Sequence, residues 1–254
     1  MAVDVERRGA VVVVTLNRPE QRNALDRATM SGIGRAFTEA ENDPAVASVV
    51  LTAAGDRAFC AGMDLKSFAD SGPPTADDGP GLGVIMGRTY PKPVIAAVNG
   101  AALAGGFELV LACDLVVAAE GAIFGIPEVK RGLVAAGGGV LLLPRRLPLA
   151  LALEMGLTGE PIDAARAQAL GLVNKVVPAD AVLDEALGLA ATIAANGPLA
   201  VRLTKQLMLE VAGGNDPDEL RRFQERMAPV FASADAREGA TAFAERRTPR
   251  WTGR

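Results

Sequence analysis

The sequence predicts an α/β domain followed by a helical C-terminal region, and three observations carry that expectation. Short β-branched and apolar runs, such as Val11–Asn17 and Pro93–Val98, alternate with stretches whose apolar positions recur at helical spacing. Beyond Asn196-Gly197-Pro198 the spacing is helical only. Half of the residues are apolar but only 4% are aromatic, so the core must be built mainly from Ala, Val and Leu. At 254 residues the chain is long enough to bury a sizeable core, as one large domain or a domain with an appendage. The boundary is set between a core of residues 1–196, which holds the site, and a helical region of residues 197–254.

Taken in order, Val11–Asn17 is β-branched and reads as a strand, and Arg18-Pro19-Glu20 as a turn. Asp26 is placed as an N-cap, because its short side chain can accept from a free N–H of the first turn. Met30, Ile33 and Phe37 then recur at helical spacing up to Asn42-Asp43-Pro44, which stops the helix. Ser48–Thr52 is a second strand. Ala58–Lys66 (AFCAGMDLK) follows with small residues and a glycine, and by composition alone reads as a loop. Ser67–Thr89 is rich in Gly, Pro and Asp, and a loop this long in a compact domain is usually functional or mobile. Pro93–Val98 suits a strand buried on both faces. After it come Asn99-Gly100, a helix opened by Gly105-Gly106, and short strands at Leu115–Ala119 and Ile123–Gly125. Gly132–Gly139 leads into the apolar run Val140–Leu143 as a helix start. Leu149–Leu157, Asp163–Leu170 and Ala181–Ala195 read as helices, with a strand at Asn174–Val177. The C-terminal helices are expected over Leu199–Glu210, Glu219–Phe231 and Ala236–Arg246, with Trp251 in a loose tail.

The chemistry centres on Lys92–Arg131. The backbone of a glycine pair can approach a ligand closely, and at a helix start its N–H groups point outward unpaired. Glu108 falls in the first turn of that helix, where the dipole favours its carboxylate. Glu128 lies twenty positions on, inside Ile126-Pro127-Glu128-Val129. Two glutamates in apolar, glycine-punctuated surroundings are what acid/base chemistry on a neutral substrate needs. Each also admits a plainer account, as a dipole-complementing surface residue and a loop residue. The chain has no histidine, which excludes Ser-His-Asp and Cys-His systems and His-based metal sites. Cys60 and Cys113 have no zinc spacing and read as buried thiols. Neither the Pro-Gly-Leu-Gly run nor the triple glycine has the context of a nucleotide loop. A net charge of −4 and a pI near 5.1 give no nucleic-acid footprint. The amino-terminal residues have no signal-type apolar core, and no uncharged apolar run is long enough to span a membrane. The expected location is cytoplasmic.

The whole string resembles the crotonase (enoyl-CoA hydratase/isomerase) family. The resemblance rests on Ile95-Ala96-Ala97-Val98-Asn99-Gly100, Gly105-Gly106-Phe107-Glu108-Leu109, Cys113-Asp114 and Phe124-Gly125-Ile126-Pro127-Glu128, in order and at family spacing. It extends to N-R-P-x-x-x-N-A-L over Asn17–Leu25, to A-F-x-A-G-x-D-L over Ala58–Leu65, and to Leu157–Pro178. It thus covers nearly the whole chain, with Ser67–Thr89 the weakest part. Where many members carry P-G-x-G-G-T, this chain has Val134-Ala135-Ala136-Gly137-Gly138-Gly139-Val140.

The resemblance implies a spiral of ββα units with a C-terminal helical layer that packs on neighbouring subunits, in a homotrimer or a dimer of trimers. It implies a 2-enoyl-CoA hydratase in which Glu108 activates water and Glu128 supplies the proton to the α-carbon. The N–H groups of Met63 and Gly105 would hold the thioester oxygen as negative charge develops on it. Arg22, Ala24, Ala61, Asp64, Leu65 and Lys66 would lie along the bound CoA. For Arg22 and Asn23 ordinary turn chemistry is an equal account, and for Lys66 so is a solvated surface lysine. No metal or redox cofactor is implied, since CoA arrives as part of the substrate. The alternatives are a carnitinyl-CoA dehydratase-like enzyme, an enoyl-CoA isomerase, or, in a different class, a non-catalytic acyl-CoA-binding protein.

Overall fold

Through the middle of this chain, consecutive strands alternate between two sheets. The computed structural model describes residues 1–67, 79–213 and 217–252. Residues 68–78 of the Ser67–Thr89 loop reading lie outside the described residues, as do the side chains of Leu220, Phe223 and Met227, which recur near helical spacing in the C-terminal region. Among the described residues the larger sheet has the order β1 (Val3–Arg8), β2 (Val11–Leu16), β3 (Ser48–Ala53), β5 (Val94–Val98), β7 (Leu115–Ala119) and β10 (Lys175–Val177). It is parallel except for the hairpin of β1 with β2. The smaller sheet has the order β4 (Ala58–Cys60), β6 (Ala101–Leu103), β8 (Ile123–Gly125) and β9 (Ile162–Asp163), with the first three parallel. The pairs β3–β4, β5–β6 and β7–β8 each put one strand into each sheet, so the chain winds as a spiral. Strands β3 and β5 are buried along their whole length, as mainly apolar parallel strands should be, and the buried Thr52 hydroxyl of β3 donates to the Ala97 carbonyl.

Ten helices complete the described fold. α1 (Arg27–Asn42) starts at Asp26, whose carboxylate accepts from the Thr29 N–H at 2.8 Å. Its buried face carries Ile33 and Phe37, and the Phe37 ring meets Tyr90 edge-on at 5.1 Å. At its C-terminal end the buried Lys92 donates to the Ala40 and Asp43 carbonyls, at 2.6 Å each. A cation there complements the helix dipole and satisfies orphan acceptors. α2 (Gly83–Met86) is short. α3 (Gly105–Ala112) packs on β4 and β6 and is buried from Gly106 onward. Its residue Gly106 sits so close to β4 that a Cβ there would overlap the Cys60 carbonyl. α4 (Gly139–Arg146), α5 (Leu149–Thr158) and α6 (Ala164–Ala169) precede β10. α7 (Val182–Ala194) covers the larger sheet, and α8 (Pro198–Val211), α9 (Pro217–Phe231) and α10 (Ala234–Ala244) follow.

Two expectations need correction. Ala58–Cys60 is a strand rather than loop, and the strands Val3–Arg8 and Ala101–Leu103 were not foreseen at all. The tail around Trp251 is tied down: Asp235 accepts from the Thr252 N–H and hydroxyl at 2.7 and 2.8 Å, and Arg247 pairs with Glu238. Cys60 and Cys113 are both buried, and burial pushes both thiols up to about 12.

Candidate active site

Three of the small strands end side by side, and each releases one part of the site. β4 runs out into Gly62-Met63, β6 into Ala104-Gly105, and β8 into the 3₁₀ turn Pro127–Arg131 that carries Glu128. Because β4, β6 and β8 are adjacent and parallel, these exits face one place. Chain ends of parallel strands are where α/β folds put their ligands.

The two amides come together by close packing. Gly62 has φ +94°, and a Cβ there would meet Ala104 Cβ at 2.7 Å and Gly105 N at 3.2 Å. Only glycine has both the backbone freedom and the size for that position. The strand-like contact of Leu25 with Met63 uses the amides on either side: the Leu25 N–H donates to the Gly62 carbonyl, and the Asp64 N–H to the Leu25 carbonyl. The Met63 N–H is left out of that ladder. Across the gap, a Cβ on Gly105 would lie 3.8 Å from Met63 N. Among the described residues neither the Met63 nor the Gly105 N–H has a hydrogen-bond partner. Ala104 turns the chain into α3 with φ 52° and ψ −129°, a conformation that favours glycine and strains an alanine by about 1–3 kcal/mol. Strain of this kind at the residue before Gly105 is a cost of aiming its amide.

The two glutamates face the same cavity of about 510 Å³, which Met63, Gly105, Leu25, Met86, Leu133 and Val134 also line. Glu108 is 5% exposed. Its carboxylate lies in a glycine cradle at the start of α4, where it accepts the Gly139 N–H at 2.8 Å and the Gly137 N–H as well. A Cβ on Gly137 would stand 2.5 Å from Glu108 Oε2, so the triple glycine makes room for the acid. Burial raises the Glu108 carboxyl above its usual range, while the two N–H donors pull the other way by favouring the anion. Glu128 has weaker support, from its own backbone N–H and the charge of Arg131. Its Oε2 is buried with no hydrogen-bond partner among the described residues, and burial followed by the charge of Glu108 raises its carboxyl to about 7. Burial thus raises both carboxyls, and they differ in their partners: backbone N–H groups favour the Glu108 anion, whereas Glu128 Oε2 has no partner among the described residues.

The remaining expected residues fall around this centre. Asp64 faces Arg18, whose guanidinium also pairs with Asp26 and donates to the Ala24 carbonyl at 2.6 Å. That lattice, with the Ser67 N–H on Asp64, pins the segment next to Met63. Asn23 is buried with its side chain bonded to the Arg18 N–H and to the Ala54 and Ala58 carbonyls, so it staples the Arg18 turn to the ends of β3 and β4. Arg22 is exposed at φ 52°, and its carbonyl accepts the Ala61 N–H at 3.1 Å. Leu65 lines the cavity mouth, and Lys66 is exposed beside it. Gln224 and Phe231 of α9 also reach the cavity; the spacing of Phe231 with Leu220, Phe223 and Met227 marks an apolar helix face, but nothing in the sequence marks either residue for the site. Tyr90, an acid/base candidate by type, is away from the site, with its hydroxyl donating to the Phe37 carbonyl at 3.0 Å.

Comparisons with known proteins agree with this geometry. The family model described as Enoyl-CoA hydratase/isomerase matches residues 6–254. The carnitinyl-CoA dehydratase of Proteus mirabilis (strain HI4320) is 41% identical over 256 residues, covering 97% of each chain. The crystal structure of carnitinyl-CoA hydratase from Mycobacterium avium has a TM-score of 0.93 at 44% identity, over 100% of this chain and 99% of that one. The enoyl-CoA hydratase from Mycobacterium tuberculosis H37Rv gives a TM-score of 0.75 at 48% identity, with the same coverage. With two facing carboxylates, two aimed amides and a spiral of paired strands, the chain belongs to the enoyl-CoA hydratase/isomerase family, has its crotonase fold, and is a hydro-lyase.

Proposed function

We propose that this chain adds water across the 2,3 double bond of a 2-enoyl-CoA whose acyl group is apolar. One observation carries the reading: two glutamates, one accepting the Gly139 N–H and the other with a buried oxygen that has no partner among the described residues, face one cavity walled mainly by Leu, Met, Val and Ala. In this scheme the Met63 and Gly105 N–H groups receive the thioester oxygen, which gains negative charge as the enolate forms. Glu108 takes a proton from the water whose oxygen bonds to C3, and Glu128 gives its proton to C2. The pair is reset when the proton on Glu108 passes to Glu128 or exchanges through solvent. CoA would run past Arg22, Ala24, Ala61, Asp64, Leu65 and Lys66; Asp64 takes part through its hold on Arg18. The reaction needs no metal or redox cofactor.

The relatives named for carnitinyl-CoA raise a second reading, because that acyl group bears a quaternary ammonium. Such a cation is held by an aromatic cage or a carboxylate. Among the described residues the cavity offers one aromatic ring, Phe231, and no acid beyond Glu108 and Glu128. The test is a panel of enoyl-CoA thioesters together with crotonobetainyl-CoA. The expected order is a higher kcat/KM for unsubstituted chains by about a hundredfold, from loss of desolvated apolar contact and an unpaired charge. A preference for crotonobetainyl-CoA would replace this reading with the dehydratase one.

A further inference from the structure

The 3₁₀ turn Pro127–Arg131 carries Glu128, and later parts of the chain pack against it from two sides. On one side the C-terminal end of α5 presses on it, where a Cβ on Gly159 would meet Val129 Cγ2 at 3.2 Å and Lys130 Cε at 3.1 Å. On the other side stands α10. Its Gly239 touches the turn so closely that any Cβ there would overlap the Arg131 carbonyl. Next along, a Cβ on Gly132 would lie 2.6 Å from the Asp235 carbonyl oxygen and 3.0 Å from the Trp251 ring. The Arg131 guanidinium in turn lies 4.5 Å over the Phe243 ring of the same helix. Backbone thus meets backbone, with a cation–π contact as the outer latch, and no side chain stands between to absorb a shift.

We propose that α10 is a brace for the active site and that Gly239 is a positioning residue, setting where Glu128 stands relative to the bound acyl group. The proposal rests on the reading of Glu128 as the proton donor. It makes the C-terminal helix part of the catalytic apparatus, separately from any role in assembly. A displacement of about 1 Å in a catalytic group can lower a rate by about a hundredfold while leaving remote binding contacts alone. Wedging the turn should therefore act on kcat and spare KM.

The test is Gly239→Ala, with Gly188→Ala as control, since Gly188 is a helical glycine of α7 with nothing within 4 Å of its Cβ position. Gly239→Ala is expected to lower kcat about tenfold or more with KM within about twofold, and Gly188→Ala to change neither. Trp251 is the chain's single tryptophan and lies against the same turn, so its emission should move in Gly239→Ala and stay put in Gly188→Ala. A folded Gly239→Ala protein with wild-type kcat and unchanged emission overturns the brace. Should that variant not fold, Phe243→Leu decides, because it removes only the ring beneath Arg131. A kcat at least about threefold lower at unchanged KM supports the proposal, and wild-type kcat overturns it. Glu128→Gln, run alongside, separates the two claims. If it keeps full activity the proton-donor reading falls, and the tryptophan signal alone then decides whether α10 braces the turn.

Discussion

Glu128 is held where its ionised form is disfavoured, and that has a thermodynamic signature as well as a kinetic one. Its carboxyl is raised from 4.5 to about 7 by burial and then by Glu108. A group raised on folding contributes stability in full below its unfolded value, near 4.5, and that contribution is lost as pH rises through about 7. Glu128→Gln removes the titration, so the variant should gain thermal stability relative to wild type between pH 5 and pH 8.5 while losing turnover. Melting curves of the two proteins that stay parallel over that range would refute the buried-acid account. The kinetic counterpart is a fall in kcat/KM on the alkaline side of about 7, as Glu128 loses the proton it must deliver. Each single Glu→Gln change should lower kcat by about a hundredfold to ten-thousandfold, and the double change should add little, because the two act on one water as a unit. Hydration kept near normal in Glu108→Gln but abolished in Glu128→Gln would point instead to single-acid, isomerase-like chemistry.

At the scale of elements, the contact of α3 with β4 decides whether the two amides can face one substrate oxygen. Gly106 is the residue that lets them meet. Gly106→Ala should push α3 off the Cys60 carbonyl, lower stability by about 1–3 kcal/mol and remove turnover, whereas over-packing elsewhere in a core leaves chemistry intact. Denaturant unfolding together with an activity assay checks both halves, and an active variant of wild-type stability would contradict the packing argument. The same contact explains what could be read from the sequence and what could not. Long apolar strands such as Val94–Val98, and the helix with Asp26 at its head, announce themselves through composition, periodicity and capping. β4 and β6 are three residues each, too short for a period of two to register, and they are strands because neighbours pair with them. β1, with Glu6, Arg7 and Arg8 exposed, is an edge strand whose charges mask it. The two glutamates, Met63 and Gly105 were legible through motif and spacing. The cradle of Gly137 and Gly139 was read only as a helix start, since nothing local ties it to an acid thirty-one positions earlier. Gln224 and Phe231 come to the cavity through tertiary packing alone.

Across the whole molecule, the C-terminal helices leave apolar surface that one copy of the chain does not cover. α8 buries no residue, and Leu199, Leu203, Leu207 and Val211 recur every fourth position along it, all exposed. α5 repeats the pattern with Leu149, Leu153 and Leu157. Scattered leucines on a surface need no explanation, but stripes on two helices do. We propose that they are closed by further copies of the chain in a trimer or a dimer of trimers, since a closed symmetric assembly buries such faces without leaving an open end. Sedimentation of the purified protein should therefore give a trimer or hexamer. Leu203→Glu with Leu207→Glu should shift it toward monomer, because each introduced carboxylate would have to be desolvated at the interface. The same variant should keep Glu108 and Glu128 in place, as neither leucine touches their cavity. A wild-type protein that sediments as a monomer at micromolar concentration would rule the assembly out, and the stripes would then need a partner of another kind.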